Sequence, residues 1–362
     1  MTGRARSGQE TEPTAGQETR RVAVIIPYFQ REAGLLRRAV SSIAAQEFPW
    51  PVQVDLIVVD DQSPHPAEEE LADFPSPDRP CPDWLDLRIL RQRNGGPAVA
   101  RNHGLSSVDS RSRFIAFLDS DDRWTSGHLA TGIAALESGN DFYFCDSALQ
   151  KGTMFDFLEL FRSADLGTQV EKMCQDVYRF LPGMAGAAMT REYLCQTSCI
   201  VMRRSLLGNA RFDESLRYAG EDWLLWIELA HKAQGVCFST RPNSLRGVDG
   251  VALYQGSHNR LSASNLQRLM SMIRANELMA AVPGMDEGSI ALCRHRRRRM
   301  QVEAAGILLH PSSLAAVTDG KTRRAIQQLH PALWRSLPTL WTGIMLRKLG
   351  LGNRLALGGR TP

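Results

Sequence analysis

The chain has 362 residues, 43% hydrophobic and 23% charged, enough to bury a core in one large domain or two modest ones. The formal net charge of +4 excludes a general polycation. Seven irregularly spaced cysteines (Cys81, Cys145, Cys174, Cys195, Cys199, Cys237 and Cys293) include no Cys-x-x-Cys pair, which argues against a zinc site or a disulfide framework and fits a reducing cytoplasm.

Residues 1–20 are polar, rich in Gly, Thr, Gln and Glu, and read as a disordered tail without the apolar stretch of a secretory leader. Residues 22–26 form a continuous apolar, largely β-branched run ended by Pro27, the pattern of a strand buried on both faces of a parallel sheet. A helix is expected next, with Leu35, Leu36, Ala39, Val40, Ile43 and Ala44 on one face. Further strands are expected at 54–59, 87–90, 114–118 and 142–145, with helices at 97–105 and 126–137. A Pro- and acid-rich loop spans 63–82. This alternation predicts an α/β fold with a Rossmann-like, mainly parallel sheet flanked by helices. The second half is less regular. It offers a strand at 199–202, a helix at 221–232 carrying Trp223 and Trp226, and helices at 264–281 and 287–308. No run of 18 apolar residues occurs, so no spanning helix is expected.

Such sheets bind ligands beyond the carboxyl ends of their strands, and the polar clusters fall there. Asp60-Asp61 follows one strand and Asp119-Ser120-Asp121-Asp122 another. Each alone reads equally as a helix cap or a solvated acidic turn. Two on one sheet are harder to dismiss. Three carboxylates in four residues repel one another unless a cation neutralises them. Hard oxygen ligands suit Mg2+ or Mn2+, with water and phosphate oxygens completing the shell. Gly95-Gly96 before Pro97 lets backbone approach a ligand and opens a helix whose free N–H groups favour anions; an ordinary loop into a helix is the alternative. A dinucleotide fingerprint is a poor fit, because Pro27-Tyr28-Phe29-Gln30 follows the first strand. Glu221-Asp222 heads a helix, where acidic residues also sit for electrostatic reasons alone.

Four segments, in order, resemble the family 2 glycosyltransferases, which have the GT-A fold. Phe117-Leu118-Asp119-Ser120-Asp121-Asp122-Arg123-Trp124 resembles the family's aspartate motif. Val24-Ile25-Ile26-Pro27-Tyr28-Phe29 resembles its first strand and nucleotide-contacting turn, and Val58-Val59-Asp60-Asp61-Gln62-Ser63 its second-strand motif. The run from Asn94 through Arg101-Asn102 to Gly104 resembles the segment lining the nucleotide pocket. The match is specific over residues 22–124 and looser through 262. The resemblance implies nucleotide contacts from Pro27, Tyr28, Asp60, Asp61, Asn94, Gly96, Arg101 and Asn102, with a second-strand carboxylate on the nucleobase. It implies a divalent metal on Asp119, Asp121 and Asp122. It also implies an inverting transfer, with Asp222 as general base and Glu221 as its support. Residues 254–262 resemble a late family segment, Tyr-Arg-x-His-x-x-Ser, which implies His258 near the diphosphate or metal; Gln255 stands where arginine is frequent. The expected organisation is a GT-A domain over 21–262, split into a nucleotide-binding half (21–146) and an acceptor half (147–262). A helical, basic C-terminal region (263–362) follows.

Residues 26–39 with Asp61-Gln62-Ser63-Pro64 are similar to bacterial succinoglycan-type exopolysaccharide glucosyltransferases. That similarity implies UDP-glucose as donor and a lipid-linked saccharide as acceptor. Toward the C-terminus, Arg294-His295-Arg296-Arg297-Arg298-Arg299 is densely cationic. From Lys321 to Pro362 there are eight Lys or Arg and no Asp or Glu, interleaved with Trp334, Trp341 and several leucines. Such a pattern suits an anionic membrane surface and implies a cytoplasmic enzyme, peripheral on the inner face of the cell membrane. A solvated helix face and a packed terminal helix are the alternatives. Nucleic acid is not expected, because no recognition fold accompanies the charge. Trp124, Trp223 and Trp226 are candidates for stacking on sugars or for core packing. A nucleotidyltransferase of related fold would favour a Gly-rich, Lys/Arg-bearing loop after the first strand, which is absent. A non-catalytic nucleotide-sugar-binding protein would not need the Asp119 cluster together with Asp222.

Overall fold

In the computed structural model the apolar runs become the middle of one sheet. The structure describes residues 18–75, 81–149, 152–154, 157, 166–247, 259, 261–308 and 324. Its strands are β1 (Arg20–Tyr28), β2 (Val52–Asp60), β3 (Leu85–Arg91), β4 (Phe114–Phe117), β5 (Arg123–Trp124), β6 (Phe142–Ala148), β7 (Val170–Lys172), β8 (Val177–Phe180), β9 (Ile200–Arg203) and β10 (Val236–Leu245). The α-helices are α1 (Leu35–Ala44), α2 (Ala67–Glu70), α3 (Pro97–Ser106), α4 (His128–Glu137), α5 (Met184–Arg191), α6 (Arg204–Leu207), α7 (Glu221–Lys232), α8 (Ala263–Met279) and α9 (Glu287–Leu308).

The strand order is β3-β2-β1-β4-β9-β6-β10-β8-β7, with β5 paired to β10. The ladders β3-β2, β2-β1, β1-β4 and β6-β10 are parallel, as the strand–helix alternation predicts. β9 runs antiparallel between β4 and β6. Ile200, Val201 and Met202 are fully buried, and a strand buried on both faces shows the same apolar run in either direction. Along β1 and β2 alternate residues face opposite cores. Ile25, Ile57 and Val59 pack with α3 and α7, while Val22, Val24, Ile26, Leu56 and Val58 pack with α1 and α4. Helix α3 lies close on β1: a Cβ added at Gly104 would stand 2.6 Å from Ile25 Cγ2. That close approach seats the C-terminal half of α3 on β1 and β2.

Several elements escape the sequence pattern. β10 contains Pro242, and its pairing with β6 shifts register on both sides of that residue. β7 and β8 form a short antiparallel pair too brief for periodicity to reveal. α5 is built from small residues that let it approach α7, since a Cβ at Gly186 would stand 2.6 Å from the His231 ring. The C-terminal helices share the main core through Ala275, Met279 and Cys293. They also pack on each other through Leu269, Ile273, Ala304 and Ile307. Ser262 caps α8 by accepting the Asn265 N–H at 3.1 Å. Among the described residues no helix is long and apolar enough to cross a membrane.

Candidate active site

Parallel pairing brings the carboxyl ends of β1, β2 and β4 to one sheet edge, so Pro27, Asp60-Asp61 and the turn beginning at Asp119 share it. Pro27 is half-buried there. The next residue departs from expectation. Tyr28 shares the parity of Val24 and Ile26, so its ring is fully buried on the α1 face. Its hydroxyl donates to the His65 carbonyl at 2.7 Å, and burial pushes its pKa up to about 12. Only its backbone is left to face a nucleotide.

The two second-strand carboxylates divide their work. Asp60 accepts the Ser63 N–H at 2.7 Å and the Ala67 N–H at 2.9 Å, so both oxygens serve its own turn and the first turn of α2. Asp61 reaches across to the loop before α3. It accepts from Gly95 N at 2.7 Å, Gly96 N at 2.8 Å and Gln92 Nε2 at 2.7 Å. The N–H groups of Gly95 and Gly96, just before the helix expected to offer its free N–H groups to an anion, are therefore bound to an internal carboxylate. Gly96 has φ 94°, a conformation that favours glycine. Gln62 has φ 60°, the one positive φ outside glycine among the described residues, and its side chain accepts the Asn94 N–H at 3.3 Å. Asn94 also donates to the Asp61 carbonyl at 3.0 Å and accepts from Arg217. Arg217 is an exposed cation over this loop that no local motif announced.

Arg101 joins the two halves. It is 5% exposed, donating to Asp119 Oδ1 at 2.8 Å and to Glu221 Oε1 at 3.0 Å. Burial alone would lower its pKa, but Asp119 and Glu221 together hold it above the ordinary arginine value. Glu221 is pushed up to about 7 by burial first and the neighbouring Asp222 charge second, with Arg101 opposing both. The expected pocket-lining residue Arg101 is thus the tie between the aspartate motif and the head of α7. Its neighbour Asn102, expected at the nucleotide, is engaged within the chain. It donates to the Phe212 carbonyl and Glu214 at 2.9 Å each and accepts the Phe212 N–H at 3.0 Å, so its amide pins the segment before α7.

The aspartate motif also divides. Asp119 is partly exposed, with Oδ1 on Arg101. Asp121 lies beside it, and burial plus the Asp119 charge push its pKa up to about 6. Asp122 turns inward and is 2% exposed. It accepts from Gln196 Nε2 at 2.8 Å, Ser198 Oγ at 2.6 Å and Gly247 N at 2.8 Å. The expected three-carboxylate set is not assembled, because Asp122 braces the turn from behind. Among the described residues no three acidic, His or Cys side chains gather closely enough to hold an ion. Gly247 presses on this turn: a Cβ there would fall 1.9 Å from the Asp121 carbonyl oxygen. His258 lies outside the described residues, as does nearly all of the stretch 309–362.

Asp222 occupies the first turn of α7, which Gly220 opens at φ 89°. Its carboxylate accepts the Tyr193 hydroxyl at 2.6 Å and the Trp223 N–H at 2.7 Å. The tryptophans separate by environment. Trp226 is 1% exposed in the core, and Trp124 is buried, stacked on His128 at 4.2 Å with Nε1 on the Ser198 carbonyl. Trp223 alone is partly exposed beside Asp222.

The chain matches Glycosyl transferase family 2 over residues 23–208. It is 32% identical over 342 residues to the succinoglycan biosynthesis protein ExoW of Rhizobium meliloti (strain 1021), spanning 93% of this chain and 98% of that one. The chain belongs to glycosyl transferase family 2. This glycosyltransferase is also 27% identical over 209 residues to the GalNAc(5)-diNAcBac-PP-undecaprenol beta-1,3-glucosyltransferase of Campylobacter jejuni, covering 58% of this chain and 59% of the relative. Its fold is similar to that of the mannosyltransferase PcManGT of Pyrobaculum calidifontis, solved with GDP-Man and Mn2+. That match has a TM-score of 0.50 at 16% identity and covers 95% of this chain and 89% of the neighbour. The architecture is GT-A, with the aspartate motif at the end of β4.

Proposed function

We propose that this glycosyltransferase moves glucose from UDP-glucose to a hydroxyl of a lipid-linked saccharide during bacterial exopolysaccharide assembly, with inversion at the anomeric carbon. The observation that carries the reading is the buried guanidinium of Arg101, which holds Asp119 and Glu221 at 2.8 and 3.0 Å. One side chain thereby ties the donor-side carboxylate Asp119 to the head of α7. Asp222, next to Glu221, takes the proton from the acceptor hydroxyl as that oxygen attacks. The names of the relatives, a succinoglycan biosynthesis protein and a glucosyltransferase acting on a polyprenyl diphosphate saccharide, support the substrate classes.

Asp119 and Asp121 suit a divalent ion, Mg2+ or Mn2+. They supply two hard oxygen donors, and such ions take few protein carboxylates and fill the remaining positions with water and phosphate oxygens. A bound ion there would stabilise the charge growing on the leaving diphosphate. Asp61 holds the Gly95-Gly96 loop in shape beside the nucleobase, and Pro27, Asn94 and Gly96 line the nucleotide's edge. Asp121→Asn is expected to raise the Mn2+ concentration for half-maximal turnover by at least about 10- to 100-fold. Metal titration of UDP release checks this; an unchanged titration would remove Asp121 from the ion site.

The basic C-terminus supports an enzyme peripheral to an anionic membrane, where a lipid-linked acceptor resides. In flotation with anionic liposomes, the full chain is expected in the bound fraction and a chain ending near Asp319 in the unbound one. Equal recovery of both in the unbound fraction would sink the membrane reading. A screen of UDP- and GDP-sugars tests the donor assignment, with UDP-glucose expected to turn over fastest.

A further inference from the structure

The basic run of α9 is not wholly a free surface stripe. Arg296 is half-buried, and its guanidinium donates to the Thr190 carbonyl at 2.5 Å and to the Arg191 carbonyl. These are the last carbonyls of α5, which a helix leaves without partners of its own, and a cation there also meets the negative end of the helix dipole. The same guanidinium lies 5.0 Å from the centre of the Trp223 ring. Trp223 Nε1 in turn donates to the Met189 carbonyl at 2.6 Å. Helices α7 and α9 thus both grip the last turn of α5.

The chain leaves that turn through Glu192 into Tyr193. The Tyr193 ring meets Trp223 edge-on at 5.7 Å, and its hydroxyl donates to Asp222 Oδ2 at 2.6 Å. Asp222 Oδ1 accepts the Trp223 N–H at 2.7 Å. Oδ2 also accepts the Thr197 hydroxyl at the longer distance of 3.5 Å, so the carboxylate is held at both oxygens, yet its roughly four lone-pair sites are not exhausted by these bonds. It is oriented and still able to accept a proton.

We propose that Tyr193 is a positioning residue that orients Asp222 toward the acceptor hydroxyl, and that Arg296 of the basic C-terminal helix is the strut that holds Tyr193 in place. This rests on the proposed role of Asp222 and deepens it. One arginine of the cationic run then belongs to the acceptor side of the site, while Arg294, Arg298 and Arg299 stay exposed.

The test is steady-state kinetics on the full chain. The donor is UDP-glucose, or whichever UDP- or GDP-sugar the wild-type enzyme turns over fastest. Tyr193→Phe keeps the ring on Trp223 and removes only the hydroxyl. It is expected to lower kcat about 10- to 100-fold, with donor KM and the thermal midpoint unchanged. Arg296→Lys keeps the charge but loses the planar fork that reaches two carbonyls and the ring, and should lower kcat in the same way. The double variant should be no slower than Tyr193→Phe alone, because Arg296 acts through Tyr193. Wild-type kcat in Tyr193→Phe, with Asp222→Asn inactive, would overturn the proposal while leaving the base in place. A shift in donor KM and thermal midpoint at constant kcat would also overturn it, as a purely structural effect. Full activity in Asp222→Asn would instead remove the base reading itself.

Discussion

Asp222→Asn is expected to lower sugar transfer by about 10²- to 10⁴-fold, the usual contribution of a positioned general base. Asparagine preserves volume and can still accept the Tyr193 hydroxyl, so the local geometry survives. What it lacks is a lone pair basic enough to take the acceptor proton. The hydrogen bonds of Asp222 go to Tyr193, Thr197 and Trp223 and not to Asp119 or Asp61, so UDP binding should be unchanged. Calorimetric titration with UDP, run beside turnover of the donor, separates these effects. Transfer within about tenfold of wild type would refute the assignment. Loss of UDP affinity together with transfer would mean the substitution had disturbed the donor side as well.

Arg101→Met should have the largest effect on stability. Its side chain is 6% exposed and holds two carboxylates, one of them on Glu221, itself 9% exposed at the side chain. Methionine fills most of the volume but leaves Glu221 buried without its cation. Breaking a buried pair from one side costs up to about 3–5 kcal/mol, and Glu221, already raised to about 7 beside Arg101, limits that cost by taking up a proton. Urea denaturation measures this, and a change under about 1 kcal/mol would contradict the burial argument. Removing both partners, as Arg101→Met with Glu221→Met, should recover part of the loss, since no buried charge is then left alone. Transfer should fail in both variants, because nothing then ties Asp119 to the head of α7.

The parallel half of the sheet was legible because strands buried on both faces read as unbroken apolar runs. Residues 22–26 and 56–59 are such runs, and Asp60-Asp61 marks the end of the second. The direction of Tyr28 was also available, since it continues the alternation of Val24 and Ile26. Other features depend on contacts that no local pattern encodes. Asp122 turns inward because of Gln196, Ser198 and Gly247, which lie 74, 76 and 125 positions away. The three carboxylates of the motif looked equivalent in sequence, and only the second half of the chain distinguishes them. Arg101 reaches Glu221 across 120 positions, and Asn102 reaches Phe212 across 110. A segment rich in glycine and polar residues looked like a ligand cradle, yet Asp61 supplies the anion that its backbone binds. β10 was hidden by Pro242, whose missing donor is absorbed by irregular pairing.

The proposed transfer inverts the anomeric carbon, with Asp222 accepting the proton. Its most direct test is the anomeric configuration of the transferred sugar, read by NMR on product made from UDP-α-glucose with Mn2+ and a lipid-linked saccharide. The expected product is β-linked and forms only with Asp222 intact. An α-linked product, or a β-linked product formed equally well by Asp222→Asn, would contradict it.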